Sequence, residues 1–168
     1  MVSLDESVTS QWAQVENSYQ RRADLIPNLV STVKGYADFE KETLTQVIEA
    51  RAKATSVQIN PGNLDATAIQ NFQAAQDGLS SALSRLMVVV ERYPELKANQ
   101  NFLELQAQLE GTENRIAVER RKFNEVTQSY NTYIRKFPTN IVAAIFGFDK
   151  KAYFKADESA REVPQVEF

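Results

Sequence analysis

The chain has 168 residues and a formal net charge of -3, with 43% hydrophobic and 24% charged residues. This length and composition suit one folded domain or one elongated bundle and are too apolar for a disordered chain. The absence of cysteine and histidine excludes disulfides, thiol and serine–histidine catalysis, and zinc sites of the usual ligands. The slight acidity gives no reason to expect a nucleic-acid partner, because phosphate binding needs a basic surface.

The first predicted element is a long helix over residues 4–56. Apolar side chains recur along it at spacings of three and four, which is typical of a helix packed against other helices. Pro27 removes a backbone donor, so we expect a kink or a short break near residues 22–26. Gly35 weakens the helix again, by about 1 kcal/mol relative to alanine. The stretch therefore counts either as one bent helix or as two.

A second helix is predicted over residues 65–92, after a loop that contains a proline and a glycine. Asp65 is well placed as its N-cap, because its carboxylate can accept a hydrogen bond from the first turn. Pro94 ends this helix and can begin the next one, where its missing N–H costs nothing. The connection is so short that the second and third helices must be antiparallel neighbours.

The third predicted helix, residues 95–136, has the most regular pattern in the chain. An apolar residue recurs every seven positions, which indicates the seam of a helix reaching on the order of 60 Å. Thr112 and Glu119 fall on this seam, so it turns polar at mid-length. The residues that keep the spacing are Phe102, Leu109, Ile116, Phe123, Tyr130 and Phe137.

A short helix over residues 139–146, ended by Gly147, and a mostly irregular tail over residues 147–168 complete the chain. The predicted fold is therefore all-α: one domain, residues 1–168, forming an elongated antiparallel bundle of three long helices plus a short C-terminal helix, like a four-helix bundle. The tail has two interpretations, packing over the bundle or guarding a groove that a partner could enter. Its aromatic residues are Phe146, Phe148, Tyr153, Phe154 and Phe168.

Charged residues on the apolar helix faces form the main candidate site. Because unpaired charges in a core are costly, we expect a buried polar network that fixes the register of the helices. The alternative is a ligand or partner site, which would require these groups to reach solvent rather than lie sealed by apolar neighbours. The predicted network joins Arg22, Asp24, Glu113, Arg115 and Glu119.

Two further groups of charged residues have ordinary explanations. A hard-cation site built from Glu40, Glu113 or Glu119 is conceivable, but surface charge and ion pairs explain these carboxylates more simply. The basic runs indicate solvated helix faces, with an anionic membrane surface as the alternative. These runs are residues 120–122, 135–136 and 150–151.

Several long motifs carry a resemblance that covers nearly the whole chain. They are RRADLIPNLVSTVKGYA at 21–37, YPELKANQNFLELQAQLEGTENRIAVERRKFN at 93–124, YNTYIRKFP at 130–138, FGF at 146–148, YF at 153–154 and PQVEF at 164–168. Together they resemble the LemA family of bacterial membrane proteins. The resemblance implies a helical domain in the cytoplasm, held at the inner membrane by one N-terminal transmembrane helix, with no established activity.

This chain departs from the family pattern, because no apolar stretch precedes its first helix. We expect it to be a piece of a longer protein whose first helix continues the membrane helix; the alternative is a natural soluble member of the family. The family offers no catalytic residues to carry over, and no cofactor or metal is expected. The predicted function is a non-enzymatic scaffold that binds unknown protein partners. The alternative is a domain that senses a ligand or ion at the polar network.

Overall fold

The computed structural model describes residues 1–36 and 40–155 of the chain. These residues contain helices and no strand, which confirms the predicted all-α class. The helices are α1 (Val2–Lys34), α2 (Lys41–Ser56), α3 (Ala66–Val90), α4 (Pro94–Lys97), α5 (Gln100–Arg135) and α6 (Thr139–Phe146).

The first predicted helix is two helices, and they separate at a different place from the one expected. The expectation was a kink or a short break near residues 22–26; no break occurs there, because α1 continues through Pro27 and ends at Lys34. Pro27 has no N–H for the carbonyl oxygen of Ala23, its usual partner in a helix. Arg51 of α2 supplies the missing donor, because its Nε–H donates to the Ala23 oxygen at 2.8 Å. A neighbouring helix thus compensates for the proline.

Side-chain caps fix the starts of two helices. The carboxylate of Asp65 accepts a hydrogen bond from the N–H of Ala68 at 2.7 Å and begins α3. The amide oxygen of Asn99 accepts from the N–H of Phe102 at 3.1 Å and begins α5. The one-turn helix α4 precedes this second cap, so the predicted third helix is divided near its start.

The helices pack chiefly as two pairs, α1 along α5 and α2 along α3. Gln11, early in α1, contacts Glu119 of α5, whereas Arg22, later in α1, contacts Glu113, which is nearer the start of α5. Residues later in α1 therefore contact earlier residues of α5. The core divides into two apolar clusters along the length of the molecule. The first joins the second half of α1 to α2, the end of α3, α4 and the start of α5.

The second cluster surrounds Trp12, which is fully buried in the first half of α1. The rings of Phe72 and Phe123 meet the indole edge-on, at centroid distances of 5.1 and 5.5 Å. Residues of α6 and of the segment after it complete the cluster. Of the predicted tail, residues 148–155 have no regular secondary structure, whereas Phe168 and the motif at 164–168 lie outside the described residues.

Candidate functional site

A polar layer crosses the molecule where one apolar cluster ends and the other begins. Three buried polar residues occupy it, Arg22 on α1, Gln76 on α3 and Thr112 on α5. Along each of these helices, the neighbouring core residues on one side belong to the first cluster and those on the other side to the second. The layer is therefore an internal feature of the fold, and it connects the three longest helices.

Arg22 is the centre of this layer and is 1% exposed. Its Nη1 donates to Ser80 Oγ at 2.6 Å and to Glu113 Oε1 at 3.0 Å. Its Nη2 donates to the backbone oxygen and to Oε1 of Gln76, at 2.9 and 2.8 Å. A guanidinium has five N–H groups, so only the Nε–H lacks an acceptor among the described residues. Burial of this charge is offset by one carboxylate and by the dipoles of α3.

A tyrosine ring packs beside the guanidinium of Arg22. Tyr19 lies 5.2 Å from the guanidinium carbon, measured to the ring centroid. Burial raises the pKa of the Tyr19 hydroxyl, and the charges of Arg120 and Arg22 partly oppose that rise. The charge of Asp77 also raises this pKa, and burial is the largest of these effects.

The five residues of the predicted network fall into three places. Arg22 and Glu113 pair on the side of α5 that faces α3. Glu119 is buried against α1, where its Oε2 accepts from Gln11 Nε2 at 2.6 Å. Arg115 reaches Glu119 at 3.4 Å but is 64% exposed. Asp24 joins neither pair, because it lies exposed and accepts a hydrogen bond from Gln20 on its own helix.

Two partners of Arg22 were not identified from the sequence. Gln76 lies four residues after Phe72 and three before Leu79, so its position on the apolar face of α3 was a usable signal. Ser80 follows Gln76 by one turn of the same helix, and its small side chain leaves room for the guanidinium. Its role depends on where Arg22 lies in three dimensions, which the spacing on α3 does not reveal.

An open groove runs between α3 and α5 and passes over Arg22. Two adjoining cavities form it, of about 770 and 710 Å³, and both are lined by Ser80 and Glu113. The groove extends along α5 from Gln106 to Gln128, which corresponds to about 33 Å of helix. Its apolar lining includes Leu83, Met87, Leu109, Ile116 and Ala117. A surface of this length suits a peptide segment better than a small molecule.

Beside one end of this groove, where Asn124, Phe154 and Lys155 line the cavity, side-chain amides hold the segment 151–155 by its backbone. Asn124 donates to the carbonyl oxygen of Phe154 at 3.1 Å and accepts from its N–H at 2.9 Å. Asn131 makes the same pair of bonds with Lys151, at 2.8 and 2.9 Å. Gln73 of α3 does so with Lys155, at 3.2 and 3.1 Å. Each amide thus satisfies both backbone groups of one residue, whatever its side chain is.

Phe154 anchors the same segment in the second apolar cluster. Its buried ring stacks near Trp12 at a centroid distance of 5.9 Å and meets Phe123 edge-on at 5.4 Å. The guanidinium of Arg120 lies over the ring at 4.9 Å. Of the other aromatic tail residues, Phe148 is half-buried and Phe146 is exposed. Aromatic anchors in pockets and hydrogen bonds to the backbone are both used in peptide recognition.

The carboxylates of the predicted hard-cation site do not lie together. Glu40 pairs with Arg92 near the start of α2, whereas Glu113 and Glu119 face different helices as described. Within residues 1–36 and 40–155, no group of three or more acidic side chains is arranged to hold a metal ion. No helix in the described part of the chain combines the length and the hydropathy that crossing a lipid bilayer requires.

The sequence profile of the LemA family matches residues 11–168. Magnetosome protein MamQ of Magnetospirillum gryphiswaldense is 28% identical over 184 aligned positions, which cover 98% of this chain and 66% of that protein. Magnetosome protein MamQ 2 of Paramagnetospirillum magneticum is 27% identical with the same coverage. Protein LemA of Metamycoplasma hominis is 27% identical over 147 positions, covering 88% of this chain and 64% of that protein. The chain thus spans about two thirds of the length of the curated relatives it matches.

Proposed function

The chain belongs to the LemA family, and we propose that it is a non-catalytic interaction domain that binds a segment of a partner protein in the groove between α3 and α5. In this proposal the helices form an elongated antiparallel bundle, and the polar layer around Arg22 fixes their register. The groove is then a rigid receptor, because its floor is α1 and its two walls are tied to that floor through Ser80, Gln76 and Glu113.

One observation carries the proposal: a segment of the chain is held by its backbone beside one end of the groove, where Asn124, Phe154 and Lys155 line the cavity. Asn124, Asn131 and Gln73 pair with backbone groups of residues 151–155, and Phe154 fills an aromatic pocket. The rest of the groove is lined by apolar, amide and charged side chains, including Leu109, Gln106 and Glu110. A partner segment lying there would bury apolar surface and find hydrogen-bond partners for its backbone, as in other peptide grooves.

The absence of an enzymatic activity is part of the same proposal. The sequence contains no cysteine and no histidine, the residues that most often act as nucleophile and base near neutral pH. The two buried charged side chains both have partners, since Arg22 donates to Glu113 and Glu119 accepts from Gln11. This arrangement favours a structural role for the layer and a binding role for the groove above it.

We place this domain in the cytoplasm, held at the bacterial inner membrane by a single transmembrane helix N-terminal to α1. The support is the resemblance to the LemA family, together with relatives that are longer than this chain. Two of those relatives bear the name magnetosome protein, so a bacterial organelle is one setting in which a related domain operates. The proposed partner is a protein encountered at such a surface.

The second candidate function is the sensing of a ligand or ion at the polar residues Arg22, Asp24, Glu113, Arg115 and Glu119. One observation favours it, because the cavity of about 770 Å³ reaches Arg22, whose Nε–H has no acceptor among the described residues. Four of the five N–H groups of Arg22 already donate hydrogen bonds to the protein, which argues for the structural role instead. A ligand would have to break those bonds to use the charge.

Site-specific photo-crosslinking in cells tests the groove directly. A photoreactive amino acid at Ser84, which is exposed and lines the groove, should join the domain to one defined partner. The matched control is Ser129, an exposed serine of α5 that lies outside the described cavities. Crosslinks at Ser84 alone support the proposal, whereas equal crosslinks at both positions, or none at either, contradict it.

A further inference from the structure

Helix α6, together with Phe137 just before it, exposes an apolar surface at one end of the molecule. Only Ala143 of α6 is buried in the core. Phe137 is 80% exposed, Ile145 72% and Phe146 71%. These three residues and the exposed Ile141 and Val142 form the α6 surface. Clustered exposure of large apolar side chains marks a binding surface, because water around them is unfavourable.

Basic residues border the α6 surface on both sides along the chain. Arg135 and Lys136 come before it, and Lys150 comes after it, all three exposed. Lys151 is half-buried and pairs with Asp5. Between Arg135 and Lys151 the sequence has one acidic residue, Asp149. Apolar side chains flanked by lysine and arginine match the boundary of an anionic bilayer, where acyl chains lie beneath negative headgroups.

The α6 surface lies at the end of the molecule where α1 begins. The ion pair between Lys151 and Asp5 joins the segment after α6 to the first turns of α1. Met1 and Leu4 pack against the same apolar cluster as Phe148. The surface is therefore on the opposite side of the second cluster from Arg22, and the groove between α3 and α5 does not include it.

We propose that the α6 surface binds an anionic lipid bilayer, with Ile145 and Phe146 inserted below the headgroups and Lys136 and Lys150 against the phosphates. A second copy of the chain is a poorer occupant, because it would bring like charges of the two copies together around one apolar contact. A lipid surface instead neutralises those charges and buries the apolar residues. This inference is separate from the proposed groove function and does not depend on it.

Vesicle flotation with the chain as it stands tests the inference. Vesicles of phosphatidylcholine mixed with phosphatidylglycerol should carry the protein, and vesicles of phosphatidylcholine alone should carry much less. The double variant Ile145→Ser, Phe146→Ser should weaken binding by at least about tenfold, because it removes two inserted apolar side chains. Lys136→Gln with Lys150→Gln should weaken it by roughly tenfold and reduce its sensitivity to salt.

Val88→Ser is the matched control, because Val88 is 65% exposed on α3, far along the chain from the α6 surface. It should bind vesicles as well as the parent chain. Failure to bind the anionic vesicles, or binding that Ile145→Ser and Phe146→Ser leave unchanged, would overturn the inference. Sedimentation gives a further test: if the parent chain forms a dimer and the Ile145→Ser, Phe146→Ser variant does not, the inference is overturned as well. None of these outcomes bears on crosslinking at Ser84.

Discussion

The side-chain amide of Asn124 pairs with both backbone groups of Phe154, thirty residues later in the chain. This pairing holds the segment after α6 against α5 and places the Phe154 ring against both Trp12 and Phe123. A helix residue thus recognises an extended backbone without regard to side-chain identity. The same chemistry, repeated by Asn131 and Gln73, connects the fold to the proposed function.

Replacement of Asn124 by alanine should release the segment locally. Both backbone groups of Phe154 lose their partner, so we expect the free energy of unfolding to fall by about 1–2 kcal/mol. Amide hydrogen exchange at Phe154 should accelerate, while exchange within α1 stays slow. The control is Asn114→Ala, an exposed amide of α5 in the same groove. Equal effects of the two substitutions on stability would contradict this role of Asn124.

The bond from Arg51 to the Ala23 oxygen predicts a coupling with Pro27. Arg51→Met should cost about 1 kcal/mol in the parent chain, because the carbonyl then has neither a helical nor a side-chain donor. In a Pro27→Ala background residue 27 regains an N–H, so the same substitution should cost much less. Urea unfolding of the four proteins measures the coupling as a double-mutant cycle. Additive effects would show that Arg51 stabilises α1 in another way.

The two ion pairs of the predicted network should differ in strength. Glu113→Gln removes the carboxylate that offsets the charge of Arg22, and we expect a loss of about 1–2 kcal/mol, a value discounted because Glu113 is 43% exposed. Arg115→Ala removes an exposed partner of Glu119 and should change stability by less than about 1 kcal/mol. Denaturant unfolding ranks the two. A larger effect of Arg115→Ala would contradict the central position of Arg22.

Tyr130 should make the fold sensitive to alkaline pH. Burial, with the charges of Asp5 and Asp149, raises the pKa of its hydroxyl to about 12. In the unfolded chain a tyrosine loses its proton near pH 10. Between about pH 10 and pH 12 the folded state therefore holds a proton that the unfolded state has released, so the free energy of unfolding must fall as the pH rises.

Tyr130→Phe should flatten this part of the stability curve, although it also removes the hydrogen bond to Asp149 at 3.0 Å. The slope with pH, rather than stability at one pH, is therefore the quantity to compare. Tyr133→Phe changes a more exposed phenol of α5 and serves as the reference. An unchanged slope in Tyr130→Phe would contradict the assignment.

The sequence predicts helices well because each long one has its own apolar period. The spacing through Phe102 and Phe123 identifies α5, whereas Pro27 predicts an interruption of α1 near residues 22–26, well before its actual end at Lys34, next to Gly35. Arg51 compensates for Pro27 from another helix, and no local pattern reveals that contact. Local propensity describes a helix in isolation, whereas the position of a break also depends on neighbours.

The candidate site was only partly accessible from the sequence, for a related reason. Charges on apolar faces, such as Arg22 and Glu119, stand out because burial of a charge is costly. Asn124, Asn131 and Gln73 do not stand out, since an amide on a helix is ordinary and their partners are backbone groups far along the chain. The groove likewise depends on how α3 and α5 are spaced, which neither helix encodes alone.

The most direct test of the proposed function is to fill the groove and measure binding of the partner identified by crosslinking at Ser84. Ser84→Trp places a large ring between α3 and α5, while Ser129→Trp places the same ring on the outer face of α5. Titration of the partner segment into each purified variant gives the two affinities. We expect Ser84→Trp to weaken binding by at least about tenfold and Ser129→Trp to leave it unchanged. Equal affinities of both variants and the parent chain would contradict binding in the groove.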